Sequence, residues 1–173
     1  MAANMLTAYY SRGCDSRGLF QGLKIATHPD FEKHLNQYNV IHLNMRDYLT
    51  ESENMKQLIQ FVEDDLLDEL QQEFSDLRMP RRKTLVKVLE QAFAQYKIPF
   101  VFIIDEWDCI FRVHKSDAAS QKDYLDFLRN LLKDKSYIAL AYMTGILPIK
   151  KYGEHSAINV FYEYSMTDAS PIE

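Results

Sequence analysis

Two adjacent carboxylates, Asp105 and Glu106, directly follow an uninterrupted apolar run at residues 100–104. Magnesium prefers hard oxygen ligands and keeps several of its waters, so an aspartate in this place can hold the ion through those waters. A neighbouring glutamate can orient or deprotonate a water that attacks a phosphoryl group. The pair therefore indicates metal-assisted phosphoryl transfer. The alternative interpretation is that Asp105 caps the helix that follows and that Glu106 is simply solvated.

The apolar run before these carboxylates predicts the strand that must position them. Its residues are mostly β-branched or aromatic and follow Pro99, which is typical of a strand buried on both faces in a parallel sheet. Such sheets bind their ligands beyond the carboxyl ends of the strands. We therefore expect Asp105 and Glu106 at the exit of a central strand, facing a ligand crevice.

Two further strands are predicted at residues 38–44 and 137–143. Thr144, at the end of the second of these, can sense a terminal phosphate or orient the attacking water. The alternative is a turn residue beside Gly145. Asn44 can face the same crevice, although an asparagine that closes a strand is most often a turn former.

Apolar residues spaced by three and four positions predict the helices of the chain. These helices cover residues 1–10, about 29–36, 55–77, 85–96 and 116–132. Strands that alternate with helices make an α/β domain with a mainly parallel sheet. A short strand at 158–162 and a tail at 165–173 complete a single domain of 173 residues.

The composition and the motifs of the sequence argue against several classes of function. A formal net charge of −5 gives no general electrostatic reason to expect nucleic-acid binding. No apolar stretch has membrane-spanning length and no signal-peptide pattern occurs, so we expect a cytoplasmic protein. Cys14 and Cys109 lack metal-ligand spacing with the histidines and are expected to be reduced thiols. No Gly-x-Ser-x-Gly or His-Glu-x-x-His motif supports a serine hydrolase or a zinc enzyme.

Three weaker candidates have plain structural alternatives. Lys150 and Lys151 can meet a phosphate, or they can be solvated surface. Trp107 is interpreted as a packing residue rather than a platform for a base. The acidic residues between positions 63 and 69 are interpreted as a solvated helix face, because they lack the spacing of a calcium loop.

Four segments together resemble a known family: residues 9–16, 42–45, 105–108 and 144–152. They are similar to the predicted AAA-ATPase-like family of bacterial proteins, many of which carry a nuclease-like domain of the PD-(D/E)XK type further along the chain. The resemblance covers nearly the whole sequence. It implies a three-layer P-loop NTPase-like fold, with ATP and Mg²⁺ as the cofactors of the intact family. It also implies that Asp105 and Glu106 match the Walker B pair and that Thr144 occupies the sensor position.

The phosphate-binding half of such a site has no counterpart in the sequence. No Gly-x-x-x-x-Gly-Lys-Ser/Thr loop occurs in the 173 residues. In the family this Walker A loop immediately precedes the helix that here begins at Met1, so the resemblance implies that the first strand and the loop are missing. We therefore expect a truncated domain with weak or no ATP binding and no appreciable ATPase activity. The alternative is a non-catalytic assembly module built on the same fold.

The same resemblance leads to an expectation about partners. In the additional-strand P-loop order, the missing strand lies beside the strand at 137–143. Without it that strand is an unpaired and very apolar edge, and such edges invite pairing with another chain. We therefore expect self-association through this edge.

Overall fold

The centre of the computed structural model, which describes residues 2–148 and 161–164, is a three-stranded parallel sheet. Its strands are β1 (Asn39–Asn44), β2 (Phe100–Asp105) and β3 (Ile138–Met143), and β2 lies between the other two. Asn44 of β1 is the register partner of Asp105. β2 and β3 pair as far as Ile104 and Met143, with a shift in register after Phe100. The three strands therefore end at one edge of the sheet, as the sequence predicts.

Helices flank this sheet. Within the described residues they are α1 (Ala2–Tyr10), α2 (Phe31–His34), α3 (Met45–Glu51), α4 (Met55–Glu73), α5 (Leu85–Tyr96), α6 (Cys109–Val113) and α7 (Ala118–Leu132). Two short 3₁₀ turns, Arg17–Phe20 and Lys24–Thr27, lie between α1 and α2. The expected α/β class, with a parallel sheet between helices, is confirmed.

The side chains of β2 alternate between the two faces of the sheet, because successive residues of a strand point in opposite directions. Phe100, Phe102 and Ile104 belong to the main core cluster, which also contains buried residues of α4, α5 and α7. Val101 and Ile103 belong to a second cluster with Ala3 of α1. No residue in this run is more than 1% exposed. β2 is thus covered on both faces, which explains its unbroken apolar sequence.

The structure differs from the sequence predictions in several elements. The short helices α3 and α6 were not predicted, since five to seven residues show too little periodicity to be recognised. α4 ends at Glu73, although the apolar spacing continues to Leu77, which is buried without being helical. Phe161 and Tyr162 have no regular structure, so the strand predicted at 158–162 is wrong at these two positions, and its other residues lie outside the described part.

The predicted tail at 165–173 likewise lies outside the described residues. None of the helices in the described part of the chain combines the length and the apolar character needed to cross a membrane.

Candidate functional site

The Asp105 carboxylate and the Thr144 hydroxyl meet at the carboxyl ends of β2 and β3. Thr144 Oγ1 donates a hydrogen bond to Asp105 Oδ1. The Thr144 backbone extends the strand pairing, because its amide donates to the Ile104 carbonyl at 2.9 Å. Its carbonyl in turn accepts a bond of 3.1 Å from the Trp107 amide. Two of the residues singled out in the sequence are therefore in direct contact.

Asp105 does not cap the helix that follows it. Its Oδ1 accepts a hydrogen bond of 3.1 Å from the amide of the next residue, Glu106. Helix α6 starts only at Cys109, with Asp108 in the N-cap position and no side-chain capping bond. The capping alternative for Asp105 is thus wrong.

Glu106 has an unusual backbone conformation. Its φ is 54°, in the left-handed region that few residues other than glycine adopt. Such a conformation costs on the order of 1 kcal/mol. Asn36, Lys97 and Asp134 also adopt it, Lys97 as the residue that ends α5. The Glu106 carboxylate is paired through Oε2 with Arg112 Nη2, and its side chain is 34% exposed. The alternative interpretation, in which Glu106 is simply solvated, is therefore wrong, since the carboxylate is paired with an arginine.

Asp108 is a buried carboxylate that sequence reasoning did not single out as functional. It is fully buried, and its Oδ2 accepts hydrogen bonds from the amides of Ile146 at 3.1 Å and Leu147 at 2.9 Å. The same oxygen lies 3.2 Å from Arg112 Nε. A buried carboxylate needs such partners to remain charged. The spacing of Asp108 and Arg112, four residues apart, is a signal that could have found the pair.

Arg112 stands between two carboxylates. Burial acts to lower its pKa, but the hydrogen bond to Glu106 and the charges of Asp108 and Glu106 outweigh that effect and raise it. Arg112 therefore remains a cation in the site.

Gly145 follows Thr144 and lies against the turn at the end of β2. A β-carbon built at this position would be 2.6 Å from Asp108 Oδ1 and 2.7 Å from Trp107 Nε1, closer than real β-carbons come to other atoms. Only glycine fits such a close approach. The loop after β3 therefore packs directly against Trp107 and Asp108.

Trp107 is a packing residue, as expected. It is 2% exposed, and its ring centroid lies 5.4 Å from that of Phe111. The buried Tyr124 hydroxyl donates a hydrogen bond of 2.9 Å to the Trp107 carbonyl. These contacts hold the turn that carries Asp105 and Glu106 against α6 and α7.

Cys109 lies next to the site but is unsuited to act as a nucleophile. Burial raises the pKa of its thiol to about 11, and Arg112 only partly counteracts that effect. The thiol is therefore protonated at neutral pH and is a weak nucleophile. Cys14 is exposed, and neither cysteine is in a disulfide.

The remaining candidates are Asn44, two lysines and the acidic face of α4. The Asn44 side chain accepts a bond of 3.2 Å from the Arg46 amide and so caps α3. Lys150 and Lys151 lie outside the described residues. Asp64, Asp65, Asp68 and Glu69 of α4 are exposed, which confirms a solvated face at these four positions. Glu63 is partly buried, and burial raises the pKa of its carboxyl.

A metal ion at this edge needs ligands besides protein carboxylates. Within residues 2–148 and 161–164, no group of three or more His, Cys, Asp or Glu side chains is arranged to hold a metal ion. Asp105 nevertheless fits a magnesium ion that keeps its waters. Its two hydrogen bonds both use Oδ1, and no described group donates to Oδ2. That oxygen is thus available to accept a hydrogen bond from a metal-bound water.

Comparison with protein-family models gave a match. The model of a family described as predicted AAA-ATPase matches residues 1–153. The chain belongs to this AAA-ATPase-like family. Comparisons with curated proteins and with solved structures gave no match.

The part of the AAA-ATPase-like domain that matches the family includes all the residues of the site, from Asp105 to Leu147. For a family of predicted ATPases the expected cofactors are, in general, ATP and Mg²⁺. The resemblance seen in the sequence is therefore confirmed at the level of the family.

Proposed function

We propose that the carboxyl edge of the sheet belongs to an ATP-hydrolysing site of the P-loop class. In that site it is the part that binds magnesium and the attacking water. The observation that carries this proposal is the contact between the Asp105 carboxylate and the Thr144 hydroxyl at the ends of two adjacent parallel strands. Ligands of open α/β sheets bind at that edge. Membership of a family of predicted ATPases supports ATP as the ligand.

Three side chains have separate roles in this proposal. Asp105 holds Mg²⁺ through its waters, using Oδ2. Glu106 orients and deprotonates the attacking water, and Thr144 aligns that water or the terminal phosphate. The bound magnesium ion supplies positive charge for the phosphate oxygens in the transition state.

The sequence of 173 residues contains no phosphate-loop motif to complete this site. A phosphate loop supplies a nest of backbone amides, a helix N-terminal dipole and a lysine, and the sequence contains no such motif. We therefore propose that this chain alone binds ATP weakly and does not turn it over. Magnesium-dependent ATP binding in the micromolar range, measured by titration calorimetry, would contradict this part of the proposal.

The catalytic roles are tested in a chain that joins this domain to a Gly-x-x-x-x-Gly-Lys-Ser/Thr loop. There Glu106→Gln should lower ATP turnover by about 100-fold or more, because the water loses its general base. ATP binding should remain, since the substitution leaves the phosphate contacts in place. Asp47→Asn is a matched control, because Asp47 is an exposed carboxylate of α3 with no role in the proposed reaction.

Equal turnover in the Glu106→Gln and Asp47→Asn variants would refute the assigned role of Glu106. Turnover without any magnesium requirement would refute the role of Asp105.

A second candidate function is assembly through the outer edge of β3. In the described part of the chain no strand pairs with this edge. Ala139 and Leu140 are exposed, and β3 contains no charged residue. Exposed apolar edges of this kind pair with other strands. We propose a second copy of the chain as the occupant, because its β3 is equally uncharged and two-fold symmetry aligns the two strands antiparallel.

Leu140→Lys tests this assembly. A lysine on an edge strand opposes pairing, so any dimer seen by light scattering should shift to monomer. Leu19→Lys is the control, because Leu19 is 69% exposed and lies away from the sheet in a 3₁₀ turn. A wild-type chain that stays monomeric at high concentration, or a dimer that both variants preserve, would exclude assembly through β3.

A further inference from the structure

Asp108 connects the ends of β2 and β3. It lies in the turn after β2, and its Oδ2 accepts hydrogen bonds from the amides of Ile146 and Leu147. These two amides come directly after Thr144 and Gly145 in the chain. The carboxylate therefore fixes the path that the chain takes as it leaves β3, and with it the position of the Thr144 hydroxyl.

Arg112 connects the same carboxylate to Glu106. Its Nη2 pairs with Glu106 Oε2, while its Nε lies 3.2 Å from Asp108 Oδ2. A guanidinium group is planar and rigid, so it cannot move toward one carboxylate without changing its contact with the other. The orientation of Glu106 thus depends on where Asp108 holds the arginine.

The two carboxylate oxygens of Asp108 differ in their hydrogen bonds, since Oδ2 accepts two of them. Oδ1 is buried and has no hydrogen-bond partner among the described residues, and it lies on the side that faces Gly145. Arg112 is the cation in contact with this carboxylate. Removing the cation that pairs with a buried carboxylate leaves that charge less compensated, which is unfavourable. Loss of Arg112 should therefore also release the loop that Asp108 holds.

We infer that Asp108 and Arg112 are positioning residues that couple Thr144 to Glu106 through one ion pair, in which the carboxylate is buried and the arginine is partly exposed. The functional meaning of this coupling rests on the proposed ATPase site, in which Thr144 and Glu106 are the candidate catalytic side chains. Asp108 acts through the amides of Ile146 and Leu147. Arg112 acts through the carboxylate of Glu106.

The coupling is tested by NMR on the 173-residue chain without nucleotide or metal. Arg112→Gln should speed hydrogen exchange of the Ile146 and Leu147 amides by about tenfold or more, because the loop is no longer held. Asp108→Asn should shift the side-chain carboxyl carbon of Glu106, although no hydrogen bond joins Asp108 to Glu106. A purely local structural role for Arg112 predicts no effect at the two amides, which lie 34 and 35 residues further along the chain.

Arg129→Gln is the matched control for these variants. Arg129 also pairs with an aspartate, Asp126, but on the exposed surface of α7. In this variant both the exchange rates and the Glu106 carbon signal should stay close to those of the wild type.

Two results would overturn the inference. One is unchanged exchange at both amides in Arg112→Gln, and the other is an unchanged Glu106 signal in a folded Asp108→Asn chain. If Asp108→Asn fails to fold, Arg112→Gln alone decides, since the Arg112 side chain is 27% exposed and its loss is better tolerated. ATP and Mg²⁺ take no part in these measurements, so their outcome is independent of the test of ATP hydrolysis.

Discussion

Replacing Phe102 with alanine is expected to lower the free energy of unfolding by about 3–5 kcal/mol. The ring is fully buried in the central strand, and its centroid lies 6.4 Å from that of Phe100 and 6.3 Å from that of Tyr137. β2 is paired on both sides and covered on both faces, so the surroundings cannot close the cavity by moving inward. A domain of this size is stabilised by about 5–15 kcal/mol in total. The change therefore removes a large part of its stability.

Urea unfolding followed by circular dichroism measures this loss as a lower transition midpoint with an unchanged slope. Tyr162→Ala is the control, because it also removes an aromatic ring, but one that is 91% exposed. It should change stability by less than about 0.5 kcal/mol. If the Phe102 variant lost no more than this control, β2 would not be the buried centre of the sheet.

Replacing Gly145 with valine is expected to lower the free energy of unfolding by about 2 kcal/mol. The new β-carbon would lie within 2.7 Å of both Asp108 Oδ1 and the Trp107 ring. Neither neighbour moves easily, since the carboxylate holds two backbone amides and the indole is 2% exposed. The loop must then lift away, and the hydrogen bonds from Ile146 and Leu147 to Asp108 are lost.

Trp107 reports this change directly, because it is the single tryptophan of the chain. Its fluorescence emission should shift to longer wavelength as the indole becomes exposed to water, and the urea midpoint should fall. Gly18→Val is the control, since a β-carbon at Gly18 meets nothing within 4 Å. A Gly145→Val chain with wild-type emission and stability would show that the loop does not rest on Trp107 and Asp108.

Lifting this loop also affects the proposed site, because Thr144 immediately precedes Gly145. In a chain with a phosphate loop, Gly145→Val should therefore impair ATP turnover although residue 145 itself touches no reacting group. The same loss in the Gly18→Val control would mean that general destabilisation is the cause.

Much of the fold could be read from the sequence because its signals are local. The run at 100–104 predicted a strand buried on both faces, and the structure confirms this at every position. The spacing of apolar residues predicted α4, α5 and α7, since long amphipathic helices repeat their pattern over several turns. The short helices α3 and α6 were not predicted, because they contain too few residues for the helical spacing of apolar residues to appear.

Part of the site could also be predicted from the sequence. Asp105 and Thr144 each follow an apolar strand, and the strands of a parallel sheet end at the same edge. Their direct contact required the register of β2 against β3, which shifts after Phe100 and cannot be seen in either strand alone.

The sequence by itself determined the strands, the long helices and the edge of the sheet at which the carboxylates stand, because periodicity and burial patterns depend on neighbouring residues. The tertiary structure alone decided which of the charged side chains are buried and which groups they contact. Asp108 and Glu106 are both acidic residues of one short turn, yet one is fully buried and the other is partly exposed. The difference arises because the partners of Asp108 include two amides 38 and 39 residues further along the chain, which only folding brings to it.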